Sequence, residues 1–82
     1  MFCVYILHSK TRLKYYVGQT NNIDDRLRRH NSGLVSSTKY SIPSDLVYMI
    51  QFARRSEAIL LERKIKKRGI RRYLIDINFL DI

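Results

Sequence analysis

The chain has 82 residues, 45% of them hydrophobic, with 16 Lys and Arg against 7 Asp and Glu, a formal charge of +9 and a pI of about 10.1. That length fits one domain, read as residues 1–82, with one modest core, and the hydrophobic fraction excludes a disordered chain. The clustered positive charge selects polyanionic partners, the single cysteine Cys3 excludes an internal disulfide or thiolate metal cage, and no apolar stretch approaches the length of a membrane span.

Phe2 to Leu7 is a continuous apolar run rich in β-branched and aromatic residues, which predicts a buried strand. It is too short for a secretory signal and lacks a basic start, so a cytoplasmic location is expected. Ser9 to Lys14 is polar and reads as a turn. Tyr15 to Thr20, containing Gly18, reads as a second strand, and the short gap predicts a hairpin. Thr20, Asn21 and Asn22 are helix-capping types, and the two aspartates that follow suit a helix start. Ile23 to Asn31 is therefore a first helix, ended by Ser32 and Gly33. Val35 to Asp45, with Pro43, is a loop, and Leu46 to Phe52 is a third strand. Ser56 is expected to cap a second helix that runs to Lys67 or Arg68 and stops at Gly69. Ile70 to Ile82 is ambiguous and is assigned a short third helix packed on the sheet. The order β-β-α-β-α-(α) gives an α+β fold, a three-stranded mainly antiparallel sheet flanked by helices.

Glu62 is one of two glutamates. At about 100° per residue it falls on the helix face formed by Ala58, Leu61, Ile65 and Gly69, away from Arg63, Lys64, Lys67 and Arg68. A carboxylate facing the apolar side needs a counterion or donor. Two readings follow: an ion pair with a nearby arginine, or a ligand for Mg²⁺, which retains much of its water shell. Glu57 at the helix start is explained by the helix dipole.

Arg26 and His30 stand four residues apart and flank the side that Ile23 and Leu27 turn to the core. Arginine offers a planar fork for phosphate, and histidine can move a proton near neutral pH. A plain exposed basic helix would carry the same residues. Tyr5 and Tyr16 are aromatic strand residues of the kind that fill cores with a hydroxyl at the rim. Gly18 marks a bulge or a close approach of backbone to ligand. Nine of the 16 basic residues lie between Arg54 and Arg72, including Arg54, Arg55, Arg63, Lys64, Lys66, Lys67 and Arg68, and only Glu57 and Glu62 are acidic there. Such a stripe suits phosphate contacts that do not read sequence.

Together these residues resemble the GIY-YIG nuclease domain, and the small single-domain members in particular. Cys3-Val4-Tyr5 and Tyr16-Val17-Gly18 stand where the family has Gly-Ile-Tyr and Tyr-Ile-Gly. Arg26 occupies the place of the family's helical arginine. Glu57-Ala58, Glu62 and Ile65-Lys66 match the spacing around its catalytic glutamate, and Arg26 through Asn31 resembles the single-domain members. The likeness covers most of residues 2–68. Cys3 replaces the first glycine, Val4 and Val17 replace isoleucine, and Gln19 stands where several nucleases of the family have lysine. His30 stands where some members have tyrosine. The C-terminal asparagine of repair nucleases has no equivalent, Asn78 being a poor match.

The resemblance implies hydrolysis of phosphodiester bonds in DNA, preferred over RNA, selective for structure rather than sequence. It implies one Mg²⁺ or Mn²⁺ ion on Glu62, Arg26 bracing the scissile phosphate, and Tyr5, Tyr16 or His30 accepting the proton of the attacking water. The competing expectation is a DNA- or RNA-binding module of the same fold without catalysis. A third, a ribosome-associated protein, finds no use for a glutamate on the apolar face.

Overall fold

A computed structural model describes residues 1–9, 13–31 and 44–80. The expected turn at residues 10–12, the helix stop at Ser32 and Gly33 and most of the loop before the third strand lie outside the described residues. Within them run β1 (Phe2–Ser9), β2 (Lys14–Thr20), α1 (Ile23–Asn31), β3 (Ser44–Phe52), α2 (Arg55–Arg68) and α3 (Ile70–Asp76). The sheet order is β2-β1-β3 and both pairings are antiparallel, so the α+β architecture expected from the pattern is the one observed. No helix among the described residues is long and apolar enough to cross a membrane.

The strands outrun the hydropathy pattern. β1 continues to Ser9, which is fully buried and pairs with Lys14 on one side and Ser44 on the other. A central strand has partners on both edges, and satisfying its backbone groups carries the ladder through polar residues. The β1–β3 register shifts between Ile6 and Leu7, leaving Val47 as the extra residue of a bulge.

Side chains alternate across β1, and each face builds its own core. Val4 and Ile6 pack with Ala58 and Ile65 of α2 and with Tyr73 and Leu74 of α3. Cys3, Tyr5 and Leu7 point the other way, against Tyr16 of β2 and Ile23 and Leu27 of α1. Each fully buried aliphatic side chain contributes about 1.5–3 kcal/mol, so the larger α2/α3 cluster carries most of the stability.

The helix ends follow local chemistry at α1. Asn22 Oδ1 accepts from the Asp25 N–H at 3.0 Å, and Thr20 Oγ1 accepts from the Asn22 N–H at 3.1 Å. At α2 the expectation of a Ser56 cap fails. The helix begins at Arg55, Arg54 holds the cap position in extended conformation with no side-chain cap bond, and Ser56 lies inside the first turn. The start is set by packing instead: the Arg55 guanidinium lies 5.6 Å from the Phe2 ring centroid, and Ala58 is fully buried. Gly69, at φ +97°, ends α2 by donating to the Ile65 carbonyl at 2.9 Å. Its own carbonyl accepts from the Tyr73 N–H at 2.9 Å and so opens α3.

Candidate active site

On the α1 face the site is built around Tyr5. The Tyr5 position pairs with Gly18 across the β1–β2 ladder. A Cβ at Gly18 would stand 2.5 Å from the Tyr5 hydroxyl and 2.8 Å from its ring carbon Cζ. Tyr5 therefore lies across the bare backbone of the edge strand, and what approaches Gly18 is the chain's own phenol rather than the expected ligand. Tyr5 is 7% exposed. Burial pushes its phenol above the usual 10.0; the neighbouring Arg26 cation, which also shares a side-chain hydrogen bond with it, pulls the other way, and the Glu62 charge pushes it further up.

Arg26 reaches Tyr5 from α1 while the residue as a whole is exposed. One turn on, His30 is only 4% exposed, and its ring lies 6.0 Å from that of Tyr16, tilted by 57°. Burial lowers the His30 pKa from its usual 6.5, which favours the uncharged imidazole. A helix read only by its charges would have left His30 in solvent; the Ile23, Leu27, His30 spacing puts all three on the inward stripe.

Glu62 comes from α2. It sits between the fully buried Ala58 and Ile65 along the helix, and its side chain is 18% exposed, as its place on the apolar side predicts. Its partner is not an arginine but Lys66, one turn along the same helix, at 3.3 Å. Lys66 is 61% exposed, and a solvated i,i+4 pair of this kind contributes only about 0.3–0.5 kcal/mol. That is too little to account for a half-buried carboxylate. Its charge is felt at Tyr5, so the carboxylate and the α1-face phenol share one neighbourhood.

No group of three or more His, Cys, Asp or Glu side chains suited to a metal occurs among the described residues. A closed structural site of the zinc type is therefore not built there. One carboxylate with water around it is a donor set that suits Mg²⁺ or Mn²⁺, hard ions that accept oxygen ligands and keep several waters. Gln19 adds an oxygen that sequence reading treats only as an absent lysine: its Oε1 is buried and has no hydrogen-bond partner among the described residues. An acceptor left in that state costs about 1–3 kcal/mol.

Arg54, Arg55, Arg63, Lys64, Lys66, Lys67 and Arg68 are all exposed. They are not equally available. Arg55 covers Phe2, Lys66 pairs with Glu62, and Arg68 is held by Asp76 through Nε at 2.7 Å and an Nη at 3.1 Å. That bidentate pair keeps the Asp76 carboxyl below its usual 3.8. It was not foreseen, because it joins α2 to a helix whose position depends on the turn at Gly69. Arg63, Lys64 and Lys67 remain as the outward cations of α2.

The chain matches the GIY-YIG catalytic domain over residues 1–73. It is 36% identical over 67 residues to UPF0213 protein OB0043 of Oceanobacillus iheyensis, covering 78% of this chain and 74% of that protein. It is 39% identical over 64 residues to UPF0213 protein SH2523 of Staphylococcus haemolyticus, covering 77% of each. The solution structure of UPF0213 protein BH0048 from Bacillus halodurans superposes with a TM-score of 0.59 at 30% identity, covering 95% of this chain and 84% of that one. With the sheet order, the paired tyrosine strands and the α2 glutamate in place, the chain belongs to the GIY-YIG family, a nuclease-type family.

Proposed function

We propose that the protein is a metal-dependent endonuclease that hydrolyses phosphodiester bonds in DNA and recognises backbone shape rather than base sequence. The observation that carries this reading is the neighbourhood of Tyr5, Arg26 and Glu62, in which a cation and a carboxylate from different helices act on one buried phenol. Glu62 would hold one Mg²⁺ or Mn²⁺, which would supply positive charge to the scissile phosphate and the departing 3′ oxygen. Arg26 offers its guanidinium to the scissile phosphate, where negative charge grows. Tyr5 fixes that guanidinium by hydrogen bond. Its burial, and that of His30, favours the half-buried Tyr16 as the group that takes the proton of the attacking water. The His30 ring beside Tyr16 orients it. Arg63, Lys64 and Lys67 hold the flanking backbone through phosphate contacts.

The alternative of a binding module without catalysis draws on the Glu62–Lys66 pair, which engages the carboxylate with a lysine instead of an ion. One substitution separates the two. Glu62→Gln is expected to abolish Mg²⁺- or Mn²⁺-dependent nicking of plasmid DNA while leaving DNA binding intact or tighter. Because only a solvated pair is lost, the melting temperature should change little. Wild-type protein that nicks neither DNA nor structured RNA with either ion would establish the binding module.

A further inference from the structure

We propose that Gln19 is a positioning residue of this site, its Oε1 accepting a hydrogen bond from the water shell of the divalent ion on Glu62; this rests on the reading of Glu62 given above. Strand parity places Gln19 on the α2 face. Tyr16 and Gly18 lie opposite Leu7 and Tyr5 of the α1-face core, whereas Gln19 pairs with Val4, whose side chain packs against Ala58 and Ile65. Glu62 lies one turn from each of those two residues. The chain also ties them: Gln19 follows Gly18, over which the Tyr5 hydroxyl lies, and Tyr5 is the group that the Glu62 charge reaches. Both residues thus border the same stretch of the edge strand from the same side.

The amide supplies what such an ion lacks. Buried acceptors in folded proteins are almost always paired with protein or ordered water. The Gln19 oxygen has no protein donor among the described residues, and a hydrated dication carries strongly polarised O–H donors. Groups that bond to metal-bound water or to a ligand hold the ion's shell in orientation, and their loss typically lowers metal affinity. A lysine at this position could not act this way, having donors only. Gln19 therefore contributes to metal retention where a lysine would contribute charge to phosphate.

The test is Mn²⁺ binding to the full chain without DNA, read by water-proton relaxation, beside metal-free thermal melting. Gln19→Leu keeps the size and removes the acceptor. It should weaken Mn²⁺ binding by about tenfold while leaving metal-free melting unchanged or raised, since an unpaired buried acceptor is gone. Gln19→Glu keeps an acceptor and adds charge, so it should bind Mn²⁺ at least as tightly as wild type. Unchanged affinity in Gln19→Leu, with binding abolished by Glu62→Gln, would overturn the role of Gln19 and leave Glu62 standing. Loss of affinity in both Gln19 variants together with lowered melting would also overturn it, as a purely structural effect. Mn²⁺ binding that is absent in wild type or survives Glu62→Gln would remove the Glu62 assignment and this one with it.

Discussion

A methyl group at Gly18 has nowhere to go unless the Tyr5 hydroxyl moves, and that hydroxyl is anchored by Arg26 and walled in by the α1-face core. Gly18→Ala is expected to destabilise the fold by about 1–3 kcal/mol, the usual cost of overpacking, and to reduce DNA cleavage more than DNA binding; melting, nicking and filter binding on one preparation would show it. His30 offers a second test. Its folded pKa lies below the unfolded 6.5, so the stability it contributes is complete above pH 6.5 and is lost as pH falls through the lower folded value. A conservative His30→Asn variant should lose the part of the pH dependence that lies below 6.5, leaving the carboxylate-driven loss at lower pH, measured by denaturant midpoints at successive pH values. Much of this site was legible residue by residue, since the helical spacing of Arg26 and His30 and the face of Glu62 follow from period alone. The burial of the Gln19 amide and the identity of what approaches Gly18 were not, because both depend on cross-strand register.

Among the elements, α2 has two unlike faces. Ala58 and Ile65 are fully buried against β1, while Arg63, Lys64 and Lys67 point to solvent. Ile65→Ala should cost about 2–5 kcal/mol, visible as a lowered denaturant midpoint. The double change Lys64→Ala, Lys67→Ala should leave stability nearly unchanged. Each phosphate contact it removes should lower the steepness of the log affinity against log salt plot by about 0.9. Asp76→Asn, which releases Arg68, should act in the opposite sense and tighten DNA binding at low salt. The helix bounds were readable where punctuation is local: the Asn22 cap and the Gly69 stop both stand in the sequence. The start of α2 was not, because an arginine over a phenylalanine ring and a buried alanine, rather than Ser56, decide it. The far ends of β1 and β3 escaped for a related reason, their polar residues being strands only by virtue of their partners.

Across the described residues as a whole, β1 is the one strand paired on both edges and packed on both faces. Its even positions Val4 and Ile6 serve the α2/α3 core, and its odd positions Cys3, Tyr5 and Leu7 serve the wall that carries the tyrosine and arginine. The order of elements and a short third helix packed on the sheet were visible from pattern, whereas the residues of α3 that make the contact were not, because Tyr73 and Leu74 become core only after Gly69 turns the chain back. The alternation along β1 makes this short strand a ruler for separating two selective pressures. In a library of all single substitutions, read once for cellular protein abundance and once for DNA cleavage per molecule, the two maps should part most clearly at Tyr5 within residues 3–7. Abundance should dip at the fully buried Val4, Ile6 and Leu7 alike, and per-molecule cleavage most deeply at Tyr5. Lineages of this protein could then exchange apolar side chains at Val4, Ile6 and Leu7 while chemistry alone fixes Tyr5.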